Sequence, residues 1–204
     1  MKRFVAVGLI AGAIGAQAIS VYAQEAAAPA ENTAPKATLP LNIYANAEDE
    51  GEVLYIPSGW MGNYDALEYD DACKDKPHTG ESCIKITYSG EGKWAGVVWQ
   101  DPANDWGDEP GGYDLSGAKK LSFWARGDKG GELVEFKMGI LSKNKPFHDS
   151  GSANLGKIKL TTDWQQFSLP LDGKNLSCIK TPFVFSFAGK KEPITFYLDD
   201  IKYE

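Results

Sequence analysis

Apolar side chains recur at every second position along this chain, in short runs cut apart by glycine-rich turns, and no stretch past the N-terminal region sustains a helical repeat. Ser82 to Tyr88 alternates around Ile84 and Ile86. Lys119 to Arg126 sets Leu121, Phe123 and Ala125 against Ser122, Trp124 and Arg126. Glu132 to Leu141 sets Val134, Phe136, Met138 and Ile140 against Leu133, Glu135, Lys137 and Gly139. Trp94 to Gln100, Trp164 to Leu171, Phe183 to Ala188 and Ile194 to Tyr203 are further alternating or continuous apolar runs of strand length. Ser89-Gly90-Glu91-Gly92, Glu109-Pro110-Gly111-Gly112, Gly127 to Gly131 and Asp172-Gly173 separate them. Many short strands with such turns predict an all-β sandwich or jelly roll, and Pro170 marks an edge or a strand end. One short helix is expected, at Asp114 to Ala118.

The N-terminus reads differently. Lys2 and Arg3 precede an uncharged apolar run from Phe4 to Ile19, and Val21-Tyr22-Ala23 supplies small residues before Gln24. This is the layout of a secretory signal peptide over residues 1–23, too short and too interrupted for a membrane-spanning helix. Export to the periplasm or the medium follows as an expectation. Residues 24–40 are rich in Ala, Pro and polar side chains and read as a linker, which leaves residues 41–204 as a single domain. Without Lys2 and Arg3 the net charge goes from −7 to −9. An acidic domain is a poor binder of phosphate backbones, so nucleic acid is excluded as a partner and no membrane insertion is expected after cleavage. In an oxidising compartment Cys73 and Cys83, bracketing the polar loop Lys74 to Ser82, are expected to pair, with Cys178 left as a buried thiol.

Three stretches in order then resemble β-sandwich carbohydrate-binding modules with the galactose-binding-like jelly-roll fold. They are Tyr113 to Gly127 (YDLSGAKKLSFWARG), Leu160 to Leu171 (LTTDWQQFSLPL) and Ile194 to Tyr203 (ITFYLDDIKY). The likeness runs from about Gly80 to Glu204, and residues 41–69 match the pattern poorly. It implies non-catalytic binding of a polysaccharide or oligosaccharide. It also implies a structural calcium ion held by an aspartate of the closing strand, Asp199 or Asp200, and by oxygens near the N-terminal strands, where Glu50, Glu52, Asp70 and Asp71 are of the right type. If Leu198 faces the core, Asp200 shares that face and Asp199 points away.

Sugar rings offer apolar CH faces fringed by hydroxyls, which suit a flat aromatic with an amide or carboxylate beside it. Trp60, Trp106 and Tyr113 lie in Gly-, Asn- and Pro-rich stretches, and Trp99, Gln100, Asn104 and Trp106 fall within one strand-loop unit, so these six residues are the candidate ligand contacts. Core packing is the competing role for any large aromatic, and the favoured one for Trp124 and Trp164; Arg126 and Lys137 read as surface charges. Glycosidases need two facing carboxylates; Glu132 with Glu135, or Asp105 with Asp108, can be written down but belong to no hydrolase signature. Glu135-Phe136-Lys137-Met138-Gly139-Ile140 faintly resembles a strand of alginate-lyase jelly rolls, but the arginine-rich and Gln-x-His strands of that family are missing. No enzyme is expected. The alternatives to glycan binding are an exported structural or protein-interaction sandwich without sugar binding and, behind it, a small glycoside hydrolase.

Overall fold

A computed structural model describes residues 33–47 and 53–204. The expected signal peptide, most of the linker, and Glu50 and Glu52 lie outside the described residues.

Among the described residues eleven strands form two antiparallel sheets. They are β1 (Leu41–Tyr44), β2 (Ile56–Gly62), β3 (Leu67–Cys73), β4 (Cys83–Tyr88), β5 (Trp94–Gln100), β6 (Lys120–Gly127), β7 (Leu133–Met138), β8 (Ala153–Lys159), β9 (Gln165–Pro170), β10 (Val184–Ala188) and β11 (Ile194–Tyr203). The first sheet runs β3-β4-β11-β6-β9, with β1 also on β11; the second runs β2-β5-β10-β7-β8. The long β11 carries β6 along one side, while β4 (at Ile194 to Leu198) and β1 (at Ile201 to Tyr203) share the other. An all-β sandwich is thus the fold, as the alternation predicts.

The alternation also sorts the faces. Ile84, Ile86, Leu121, Phe123, Phe196 and Leu198 from the first sheet meet Val97, Trp99, Val134, Phe136, Phe183 and Phe185 from the second, all essentially without solvent exposure. Aromatic pairs tie the layers together: Phe123 lies 4.5 Å from Phe136 and 5.3 Å from Phe183, and Phe185 lies 5.4 Å from Phe196 between ring centroids. Such edge and tilted contacts contribute about 0.5–1.5 kcal/mol each beyond the area they bury.

Several expectations are corrected. The end of the 24–40 linker belongs to the domain: Lys36 bridges Asp114 in parallel, Ala37 donates to the Asp114 carbonyl and is buried. Asp114 to Ala118 is a turn rather than a helix; the Ser116 amide donates to the Asp114 carboxylate (2.7 Å), Ala118 closes on the Leu115 carbonyl (3.2 Å), and Leu115 plugs the core. Local side-chain to backbone bonds of this kind compete with helix formation. Cys73 and Cys83 stand opposite each other in the β3–β4 register but as free thiols. They act as small apolar groups in a satellite cluster with Tyr197, and burial pushes the Cys83 thiol up to about 12. Cys178 is also a buried thiol. Arg126 is buried rather than a surface charge, its guanidinium 3.6 Å from the Tyr197 ring centroid and 5.3 Å from that of Trp164.

Candidate functional site

The face of the second sheet that turns away from the core carries the candidate site. Directly opposite residues of antiparallel strands point the same way, so the register assigns this face residue by residue. One row across the sheet reads Met61, Gly96, Ser186, Glu135, Lys157; the next reads Gly59, Val98, Val184, Lys137, Asn154. Trp94 and Leu133 close one end, respectively 52% and 44% exposed. A groove of about 370 Å³ lies between them, lined by Trp94, Leu133, Glu135, Lys157, Ser186 and Ala188.

Small residues make the groove deep enough and hold the indole. A Cβ on Gly96 would sit 2.5 Å from the Phe185 carbonyl oxygen of β10 as well as 2.9 Å from the Met61 methyl, so only glycine fits at this point of the sheet. Gly62, at φ +68°, brings β2 against Trp94; a Cβ there would clash with the Trp94 carbonyl and press on its ring at 3.0 Å. The ring is backed on that side and open to solvent elsewhere.

The floor is polar and ordered. Glu135 accepts from Asn154 Nδ2 (2.9 Å), pairs with Lys137 Nζ (2.9 Å) and takes a longer bond from the Ser186 hydroxyl (3.5 Å). Burial alone would raise the Glu135 carboxyl, but bonds from Lys137 and Asn154 and the nearby Lys157 charge outweigh it and hold it below the usual glutamate range. An aromatic plate beside a fixed row of carboxylate, amide, hydroxyl and ammonium groups can cover a sugar's CH face and bond its hydroxyls.

The residues selected from the sequence go elsewhere. Trp99 is 1% exposed and wedged against Phe183 at 5.2 Å, with only an edge reaching the cavity lined by Tyr44, Tyr55, Tyr69 and Asp71. Gln100 is equally buried; it bonds the Asp105 carbonyl (2.6 Å) and the Ser58 hydroxyl (3.0 Å). Tyr113 packs edge-on against Tyr55 at 5.4 Å and pairs through its backbone with Ile179. Trp99 and Gln100 are thus core residues, and Tyr113 is partly buried and lies outside the groove. Trp106 is partly buried and lines neither the groove nor the depression described next. Trp60 and Asn104 do come together, with Tyr64, in a shallow depression beside β2, where Trp60 leans edge-on over Tyr69. Trp94 appears in the sequence analysis only as a member of a strand, and Glu135 only as a strand residue and one of a rejected carboxylate pair. The missed signal was parity: Trp94 and Trp99 are an odd number of positions apart, so one of them must leave the core face.

The two carboxylate pairs written down for hydrolysis are engaged separately. Asp105 is held by the buried Lys180 ammonium, Asp108 by Lys145 (3.1 Å), and Glu132 caps its turn by accepting from the Lys129 amide (2.9 Å) while Glu135 lies in the groove.

The closing-strand aspartates also depart from simple alternation. A bulge after Asp199, with Asp200 at φ +49°, puts Leu198 and Ile201 both in the core; Asp200 is part-exposed, not in the core. Asp199 is fully buried, its carboxylate accepting from the His78 (2.8 Å), Thr79 (3.3 Å) and Asp200 (2.9 Å) amides. Asp200 meets His78 Nδ1 (2.6 Å) and the Thr79 hydroxyl (2.7 Å). Calcium takes a shell of oxygens, whereas most groups converging here are N–H donors, so these residues do not fit that ion. Burial pushes the Asp199 carboxyl up to about 6 against the pull of those amides, with the Asp200 charge adding to the rise.

The chain matches the sequence model of a family described as carbohydrate binding domain 30 over residues 58–204. No curated protein matches it in sequence. A crystal structure of a family 30 carbohydrate-binding module superposes with a TM-score of 0.55 at 20% identity, covering 82% of this chain and 99% of that one. A second such crystal structure gives 0.50 at 21% identity, over 81% and 87% of the two chains. The family 30 module of a Clostridium thermocellum cellulosomal cellulase gives 0.49 at 20% identity, over 82% and 98%. At these identities the likeness is one of fold.

Proposed function

This chain belongs to the carbohydrate binding domain 30 family, and from that premise we propose that its glycan lies in the groove between Trp94 and Leu133, across the outer face of the second sheet. The function is carbohydrate binding, and the family's domains bind without catalysis. The observation that supports this placement is the half-exposed Trp94 ring standing beside an ordered row of polar groups on the same face. The signal-peptide pattern of residues 1–23 adds export to this reading.

An indole face covering roughly 80 Å² of apolar surface contributes about 2 kcal/mol at ~25 cal/mol per Å². Trp94→Ala is therefore expected to weaken binding about 30-fold, with the melting temperature unchanged because the ring is already half in solvent. Trp60→Ala, in the neighbouring depression, is expected to leave affinity within twofold. Calorimetric titration of oligosaccharides found by a glycan-array screen reads both. Wild-type affinity in Trp94→Ala, with loss in Trp60→Ala, would move the site to the depression.

A further inference from the structure

The groove is basic on an acidic protein. Net charge over the whole chain is −7, yet among the described residues the outer face of the second sheet carries Lys137, Lys157 and Lys159, with Lys190 on the rim, against the single carboxylate of Glu135. That carboxylate is already committed to Lys137 at 2.9 Å and to Asn154 at 2.9 Å. Among the described residues Lys157, Lys159 and Lys190 have no carboxylate within ion-pair distance; Lys190 only donates to the Gly131 carbonyl (3.0 Å). Lys157 and Lys159 are exposed, and being two positions apart on β8 they project to the same side, about 7 Å from each other along the strand.

Like charges set side by side raise each other's energy, and solvent screens but does not remove this at low salt. A neutral glycan would do nothing to relieve it. A ligand that lays negative charge along β8 while stacking on Trp94 would.

Resting on the groove assignment above, we propose that the glycan is anionic, with carboxylate or sulfate groups that pair with Lys157 and Lys159. The ammonium groups serve as point charges on flexible stems, so they follow a repeating anion without demanding one fixed geometry. Trp94 holds the sugar ring and the lysines choose the charge.

The test titrates the full chain with three probes: a neutral β-glucan oligomer, an alginate oligomer and a sulfated galactan oligomer. Each is run at low and at high salt, on wild type, Trp94→Ala, the double variant Lys157→Gln/Lys159→Gln, and Lys174→Gln as a charge control in an exposed turn away from the groove. Thermal melts check that all variants fold. The expected result is at least tenfold preference for one or both anionic probes at low salt, with alginate or galactan identifying the carboxylate or sulfate source. That preference falls roughly tenfold in the double variant and in high salt and is untouched by Lys174→Gln, while Trp94→Ala weakens binding of every probe about 30-fold. Neutral-glucan binding that needs Trp94 but ignores salt and both lysines overturns this inference while leaving the groove assignment standing. Anionic binding indifferent to Trp94 overturns it as surface attraction only. Failure of every probe overturns the groove assignment with it.

Discussion

Replacing Lys180 by methionine is expected to destabilise the domain by about 3–5 kcal/mol, the cost of stranding a buried carboxylate by removing its partner. The Lys180 side chain is 1% exposed and that of Asp105 7%. Its ammonium donates to the Asp105 carboxylate and to the Glu109 carbonyl. Asp105 in turn accepts from the amides of Gly107 (3.0 Å), Asp108 (3.0 Å) and Glu109 (3.1 Å), so one ion pair fixes the whole turn between β5 and β6. Methionine keeps the stem volume and deletes the charge. The three amides compensate Asp105 in part, which sets the loss at the lower end of the range. Asp105→Asn in the same background is expected to recover part of it, since a neutral acceptor no longer needs a cation. Acid gives an independent reading. Burial raises the Asp105 carboxyl, but the Lys180 bond and the turn amides outweigh it and leave it below the usual range. Stability from this group is therefore present above about pH 4 and lost as pH falls through the lowered folded value. The wild type should lose stability below pH 4 more steeply than Lys180→Met, in urea midpoints measured from pH 2.5 to 7. Equal midpoints for the two proteins at pH 7 would show that the pair contributes nothing. Glycan affinity at the groove should survive in the folded fraction, because the turn lines neither Trp94 nor Glu135.

Sandwich architecture was legible because it is written in alternation. Trp94 to Gln100 and Ile194 to Tyr203 match their strands to the residue, and Lys119 to Arg126 is off by one position at each end. Four strands left no such mark. β1 is four residues long; β2 contains Pro57, Gly59 and Gly62; β3 carries Glu68, Asp70 and Asp71; β8 has only Leu155 and Ile158 as large apolar residues, and their alternation breaks at Gly156. Three of these, β2, β3 and β8, are edge strands, which bury one side poorly and so need little apolar pattern. The site was hidden for a related reason. A binding groove is a face that should be polar, and on β5 it is not: Gly96 and Val98 are buried on the outer face as Val97 and Trp99 are on the inner one. A run apolar on both sides gives no cue to which tryptophan faces out. Lys180 was illegible in another way, since a lysine before an apolar strand is normally solvated, and only the turn folding over it from residues far earlier in the chain makes it internal.

Trp99→Ala is expected to cost about 3–5 kcal/mol of stability, in contrast to the affinity loss assigned to Trp94. The two residues share β5, five positions apart, and their surroundings differ by the whole thickness of the sheet. Trp99 meets Phe183 (5.2 Å), Phe185 (6.1 Å) and Tyr69 (6.2 Å), and these contacts join β5 to its own sheet and to β3 of the opposite one. Truncation leaves a cavity that rigid strands on both sides cannot collapse to fill, so the loss includes the cavity as well as the transfer of the ring. Against the 5–15 kcal/mol total typical of a domain, this is a large share. Urea denaturation of the Trp94→Ala and Trp99→Ala variants, followed by far-ultraviolet circular dichroism, separates the roles. Trp94→Ala should keep the wild-type midpoint and lose the ligand; Trp99→Ala should lose the midpoint and, at temperatures where it stays folded, bind as the wild type does. The opposite assignment, a stable Trp99→Ala that no longer binds, would mean that the outer face of β5 and its inner face exchange roles in solution, and the groove would have to be rebuilt from the other tryptophan.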